Sequence, residues 1–477
     1  MKSYTVCWIV MFCLAFVMNG VGDENPRSGP SVDFSHGDLK VHVHHRFLMH
    51  ADGTPFFYLG DTAWELFHRL NKDEAERYLE NRRQKGFTVI QAVVLAELDG
   101  LHTPNAQGDK PLIDDDPTQP NEAYFKYVDF IVQRAEEKGM FIGMLPTWGD
   151  KVTKAWGAGP VVFTNEHTET AYQYGNFLGA RYKNQSNIIW ILIGDRNAEG
   201  YEAIWRAMAK GLREGDGGRH LVTCHPQGGR SSADWFHNDD WLDFNTLQSG
   251  HGSYDNPNYK MIAKDYQRTP IKPCMDSEPR YEDHPVNWKP ESGWFNDFDV
   301  RQAAYWGLFA GGFGTTYGCH DIWQMMAPGR KPISSARNNW YDVLDLPASW
   351  DMMHVRALME SRPFFHRRPD PSILASPQPT EPGATITASR GDDYAFVYTP
   401  YGDSFTVQMG KISGENVKAW WFDPRTGEAQ WIGEFGNQNQ QSFDPPGERA
   451  RANDWILVLD DAAKPFPKPV AAFVNES

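Results

Sequence analysis

Hydrophobic positions along the chain gather into short unbroken runs, each followed by a stretch in which apolar residues recur at helical spacing. Ile188 to Ile193 is the plainest run, six apolar residues with no polar interruption, and it predicts a strand buried on both faces as in a parallel sheet. Similar runs occur at Phe56–Gly60, Val89–Leu95, Phe141–Pro146, Leu221–Cys224, Phe244–Leu247, Ile271–Met275 and Gly314–Tyr317. Amphipathic helices are predicted between them at Lys72–Lys85, Glu122–Lys138, Thr168–Tyr182, Tyr201–Arg213, Tyr259–Gln267 and Val300–Phe309. Gly86 and Gly139 follow two of these where a helix terminator belongs. Eight strands alternating with helices define an α/β protein and predict a (β/α)8 barrel over residues 37–365. An open doubly wound sheet is the competitor, but no G-x-G-x-x-G follows the first strand and no phosphate-binding G-x-x-x-x-G-K-[ST] occurs.

Ahead of the first barrel strand, Leu39–Leu48 and Pro55–Leu59 flank Asp52-Gly53, predicting an N-terminal β-hairpin with His42, His44 and His45 alternating along a surface strand. The pattern changes after a last helix near Trp350–Ser361. A Pro-rich segment from Arg362 to Glu381 is followed by short alternating runs, which predict a small antiparallel β-sandwich over residues 382–463. That segment carries no clear acid pair or metal cluster, so an accessory role is expected of it.

The formal charge of -16 argues against nucleic acid as a partner. Residues 1–22 have Lys2, an apolar stretch from Val6 to Met18, and small residues at Gly20-Val21-Gly22, the pattern of a signal peptide. Its removal would discard Lys2 alone among charged residues and take the charge from -16 to -17. The expectation is a secreted or periplasmic protein with no membrane insertion after cleavage, because no other run approaches the ~18 apolar residues that span a bilayer. Three cysteines then remain, Cys224, Cys274 and Cys319, an odd number that makes no disulfide framework, although one bridge stays open. Neither metal nor cofactor is expected, and oligomeric state is not legible.

If the barrel forms, the residues just after each strand share one face. They are Asp61 and Trp64, Glu97, Trp148 and Asp150, Asp195 and Arg196, His225, His251, Glu278 with Arg280 and Tyr281, and His320, Asp321 and Trp323. Carboxyls and tryptophans in that concentration suit glycosidic cleavage. One carboxyl protonates the leaving oxygen, a second attacks or activates water, and aromatic faces orient the ring. Asp195 after the fourth strand and Glu278 after the seventh lie across the barrel mouth and form the candidate catalytic pair. Asp276 and Glu282 are rivals to Glu278, and Arg280 is expected to keep the nucleophile ionised. The candidate sugar-binding residues are Asp61, Trp64, Glu97, Trp148, Arg196, His251, Tyr281, Glu282, His320 and Trp323. Metal-dependent hydrolysis through His225, His251 and His320 is a weaker reading, since those three include no H-x-H pair. A non-catalytic glycan-binding protein with the same cleft is the alternative of another class.

Three motifs occur in order: Phe57-Tyr58-Leu59-Gly60-Asp61-Thr62-Ala63-Trp64-Glu65-Leu66-Phe67, then Trp190-Ile191-Leu192-Ile193-Gly194-Asp195-Arg196-Asn197, then Asp276-Ser277-Glu278-Pro279 with Tyr281-Glu282. Together they resemble the apiosidase-like glycoside hydrolases of family 140. The stretch Val417-Lys418-Ala419-Trp420-Trp421-Phe422-Asp423-Pro424-Arg425-Thr426-Gly427 resembles the domain, named as collagen-binding, that commonly follows them. The resemblance implies a retaining hydrolase with an acid/base at Asp195 and a nucleophile at Glu278. It also implies release of apiose-linked side chains from the pectin rhamnogalacturonan-II. One departure stands out: the family usually has Gly-Gly-Asp where this chain has Ile193-Gly194-Asp195.

Overall fold

The computed structural model describes residues 29–469; the proposed signal segment 1–22 lies outside them. Eight parallel strands make the barrel: β1 (Leu59–Thr62), β2 (Val89–Leu95), β3 (Phe141–Thr147), β4 (Ile188–Arg196), β5 (Val222–Pro226), β6 (Asn245–Gln248), β7 (Cys274–Asp276) and β8 (Thr315–Tyr317). Hydrogen-bonded ladders run in the order β5-β4-β3-β2-β1-β8-β7-β6, so β1 pairs with β8. The seam between β5 and β6 closes without a ladder, by Asp243 N donating to Val222 O (2.9 Å) and Thr223 Oγ1 to Phe244 O (2.7 Å). β2 and β3 are buried along their whole length, as expected of strands covered on both faces.

Helices follow the strands because their first turns are capped. Asn71 and Glu74 form a reciprocal capping box at Lys72–Gln84, and Asn296 with Asp299 does the same at Asp297–Phe309. Gly86 and Gly139, both with φ of 74°, turn the chain out of two helices toward β2 and β3.

The run Phe56–Gly60, read as one strand, divides in two. Pro55–Phe56 closes the N-terminal hairpin against Leu48–His50, and the barrel strand begins only at Leu59 and continues to Thr62. Asp61 therefore lies within β1 rather than after it. His42, His44 and His45 sit in the turn before Leu48–His50, and His42 stacks on Phe365 with ring centroids 4.1 Å apart.

The C-terminal segment forms an antiparallel sheet of six strands, with Trp455–Asp461 between Tyr394–Thr399 and Asn416–Phe422. A two-stranded sheet, Phe405–Gln408 with Gln440–Phe443, packs on it over Val397, Leu457, Val417 and Trp421. Strand alternation sends the other face to the barrel, where Phe396 stacks on Phe309 and Tyr398 meets Tyr305. Two buried ion pairs cross the same seam: Arg301–Asp454 at 3.1 Å and Arg362–Asp460 at 2.7 Å. Cys224, Cys274 and Cys319 are buried free thiols.

Candidate active site

β4 ends in an unusual backbone. Ile193, Gly194 and Asp195 are all left-handed, with φ of 77°, 88° and 51°. A β-branched residue in that region is a true outlier, of the kind held in place only by surrounding structure. Ile193 is fully buried, and the ladder to β5 jumps from Ile193 opposite His225 to Arg196 opposite Pro226. Gly194 and Asp195 thus bulge out of the sheet. A side chain on Gly194 would meet the Trp148 ring at 2.7 Å, so glycine there lets the indole lie on the bulge and turns Asp195 into the cleft.

The cleft holds about 590 Å³ and contains both Asp195 and Glu278 in its lining. Trp64, Trp148, Tyr281 and Trp323 pack together with Val93, Leu145 and Ile191 to make its aromatic floor, with Trp64 and Trp148 centroids 5.2 Å apart. Glu97, His251 and His320 complete the expected residues that line it.

Glu278 is held by donors on neighbouring strands. Gln248 Nε2 donates to Oε1 at 2.9 Å, and His251 Nε2 lies 3.1 Å from the same oxygen. His225 Nε2 stands 2.8 Å from Oε2, a close polar contact rather than a well-aligned hydrogen bond. Burial alone would raise this carboxyl, but the contacts with His225 and His251 outweigh it and hold Glu278 down, to about 2. Asp195 experiences the reverse. Burial, then the negative charge of Glu278, push it up to about 7. Glu97 is pushed up to about 8 by burial and by the charges of Asp195, Asp150 and Glu65. The cleft therefore holds two carboxyls pushed in opposite directions, Glu278 toward its ionised form and Asp195 toward its protonated one.

Several expected residues lie elsewhere. Asp61, within β1, is fully buried, accepting from Tyr78 Oη and pairing with Arg82 Nε at 2.5 Å. Glu282 also faces away from the cleft: it accepts from Tyr317 Oη (2.8 Å) and Ala348 N (3.1 Å), and burial raises it to about 7. Arg196 stays out of the lining, its guanidinium carbon 3.8 Å from the centroid of Trp156. Arg280 donates to Tyr254 O and Gln302, so histidines and Gln248, not this arginine, keep Glu278 ionised. Asp276 accepts from Ser249 Oγ (2.6 Å) and Asn258 Nδ2 (3.1 Å), which makes it a brace for the β6 and β7 loops. His225 and His251 both face Glu278, while His320 Nε2 lies 3.0 Å from Ser334 O, and no group of three potential metal ligands occurs among the described residues.

Sequence reasoning missed Gln248, Trp156, His284 and Trp288, all in the lining. Gln248 could have been found, because it closes β6 and strand ends were the criterion. The others sit on loops that periodicity does not place.

A closed (β/α)8 barrel with two carboxyls of opposite proton affinity in an aromatic cleft is the architecture of a glycoside hydrolase. The comparisons agree. A 34% identical glycoside hydrolase family 5 protein from Bacteroides vulgatus superposes with a TM-score of 0.85 over 92% of this chain and 96% of its own. A second structure, described as a glycoside hydrolase, is 36% identical and matches 91% of this chain and 99% of its own at a TM-score of 0.84. Residues 42–366 match the model of the apiosidase-like catalytic domain, and the chain belongs to that family. Residues 369–460 match the "putative collagen-binding domain of a collagenase". No curated protein matches the sequence.

Proposed function

We propose that this glycoside hydrolase is exported and cleaves a complex plant or algal polysaccharide with retention of configuration, Asp195 serving as general acid/base and Glu278 as nucleophile. The observation that carries the reading is the contrast between the two carboxyls: Glu278 faces Gln248, His251 and His225, whereas Asp195, half-buried in the cleft wall, lies in the field of Glu278's charge. A nucleophile must be ionised and an acid protonated at the same pH, and this arrangement supplies both. The aromatic floor of Trp64, Trp148 and Trp323 supports a sugar ring as ligand. Membership of the apiosidase-like family favours apiose-linked side chains such as those of rhamnogalacturonan-II. Ile193 replaces the family's usual glycine but is fully buried in the barrel core and outside the cleft lining, so it leaves that reading of the substrate unchanged. Export rests on the pattern of residues 1–22.

Asp195→Asn and Glu278→Gln test the roles. Each should abolish release of reducing sugar from the polysaccharide while the folded protein keeps its circular dichroism and glycan binding. Full activity in either variant would remove that residue from the mechanism. Binding without turnover by the unaltered protein would identify a glycan-binding protein instead.

A further inference from the structure

Two large side chains at the cleft mouth remain unexplained. Trp156 is 40% exposed and Trp288 51% exposed, yet both line the cleft that holds Asp195 and Glu278. Each is linked to a different catalytic carboxyl through one intervening residue, Arg196 for Trp156 and His251 for Trp288.

Trp156 rides on a glycine-rich loop after β3, where Gly157 and Gly159 have φ of 94° and 97°. Lys151 Nζ anchors that loop through Ala158 O (3.2 Å) while pairing with Asp150 (2.7 Å). The Arg196 guanidinium supports the indole from one side, at 3.8 Å from its centroid, and donates to Trp156 O at 2.5 Å. A cation against one face fixes the ring and leaves the other face for a ligand. Arg196 directly follows Asp195, so the ring's position is locked to the acid.

Trp288 sits on the loop after β7, behind two successive left-handed residues, Asn287 at 53° and Trp288 itself at 59°. A bulky residue in that conformation is strained, and such strain gathers at ligand-holding sites. Asn287 N donates to His251 O at 2.8 Å, and the Trp288 ring lies 5.8 Å from His284 and 6.0 Å from His251. His251 in turn contacts Glu278, so this ring's position is locked to the nucleophile.

The chemistry assigns the two sides. A general acid must face the departing oxygen, whereas a nucleophile lies beneath the anomeric carbon of the sugar that stays. We infer that Trp156 stacks the leaving sugar and Trp288 the sugar transferred to Glu278, so that the substrate is a glycan gripped on both sides of the bond. This rests on the retaining-hydrolase reading and adds to it the shape of the substrate.

The test begins with a panel of plant and algal polysaccharides that includes rhamnogalacturonan-II. The residue at the new reducing end made by the unaltered enzyme is the transferred sugar, and its glycosyl fluoride then serves as a substrate whose leaving group fills no subsite. Trp156→Ala should lose at least tenfold in kcat/KM on the polysaccharide and clearly less on the fluoride, and it should lose transfer to added sugar acceptors. Trp288→Ala should lose at least tenfold on both. Trp156→Phe and Trp288→Phe, which keep a stacking face, should recover much of each loss, and unchanged melting temperatures exclude misfolding as the cause. Equal losses on both substrates for Trp156→Ala, or a Trp288→Ala enzyme that spares the fluoride, would overturn the assignment. An unaltered enzyme that releases sugar from no glycan would instead overturn the hydrolase reading beneath it.

Discussion

Replacing Asp61 by Asn tests whether strand-end position or burial decides what a carboxylate does. Asp61 and Arg82 are both fully buried, 2.5 Å apart, and Arg82 also donates to Leu344 O at 3.0 Å. Asparagine keeps the shape and leaves the guanidinium without its counter-charge. Breaking a buried pair in this way costs about 3–5 kcal/mol. With an unfolding entropy of ~2.1 cal/mol/K per residue, a cooperative body of about 440 residues has ~0.9 kcal/mol/K, so the melting temperature should fall by about 3–5 °C. Differential scanning calorimetry reads that shift, and kinetics below the transition should give a KM close to that of the unaltered enzyme. The double variant Asp61→Leu with Arg82→Met removes both charges and should recover a large part of the loss, because replacing a buried pair with apolar groups is far less costly than breaking it. A melting temperature within a degree of the original, joined to a KM raised tenfold or more, would refute the reasoning and return Asp61 to the sugar-binding set.

Three further predictions concern the cleft. Asp195 must carry its proton to act as an acid, and its raised value near 7 means that kcat/KM should hold below that pH and fall about tenfold per pH unit above it. Glu278, held down near 2, should contribute no acid limb until far lower pH; an optimum above pH 8 would contradict the role of Asp195, and an acid limb in the ordinary carboxylate range would contradict that of Glu278. His251→Ala removes a contact with ionised Glu278 and should lower kcat/KM roughly 10- to 150-fold, from the ~1.5–3 kcal/mol of a hydrogen bond to a charged group, while raising the acid limb. An unmoved acid limb would show that His251 only shapes the wall. Dialysis against EDTA should leave turnover unchanged, whereas loss of activity restored by a divalent cation would revive the metal reading of His225, His251 and His320.

The barrel was legible because buried parallel strands leave long apolar runs. Val89–Leu95 matches the observed β2 at both ends, and Thr168–Tyr182 matches its helix. The strand-end rule placed Asp195 and Glu278 in one cleft because β4 and β7 lie across the barrel. It failed for Asp61, where β1 runs two residues beyond the apolar stretch and turns the carboxylate toward Arg82. It failed for Glu282 because Tyr317 and Ala348, distant in sequence, draw that side chain away from the cleft. The left-handed turn at Ile193–Asp195 left no trace in periodicity, since Ile193 reads as one more buried strand residue. Arg280 misled by proximity: two residues from Glu278 in sequence, it points to Tyr254 and Gln302.

The central claim is a covalent intermediate on Glu278. Acid-quenching the enzyme during turnover of a glycan substrate, digesting it and sequencing the peptides by mass spectrometry reads it directly. The account predicts a peptide heavier by one glycosyl group, with the added mass on Glu278, absent from Glu278→Gln and accumulating in Asp195→Asn when the substrate is the activated glycosyl fluoride. A product of inverted configuration with every peptide unlabelled, or a label on another carboxylate, would contradict it.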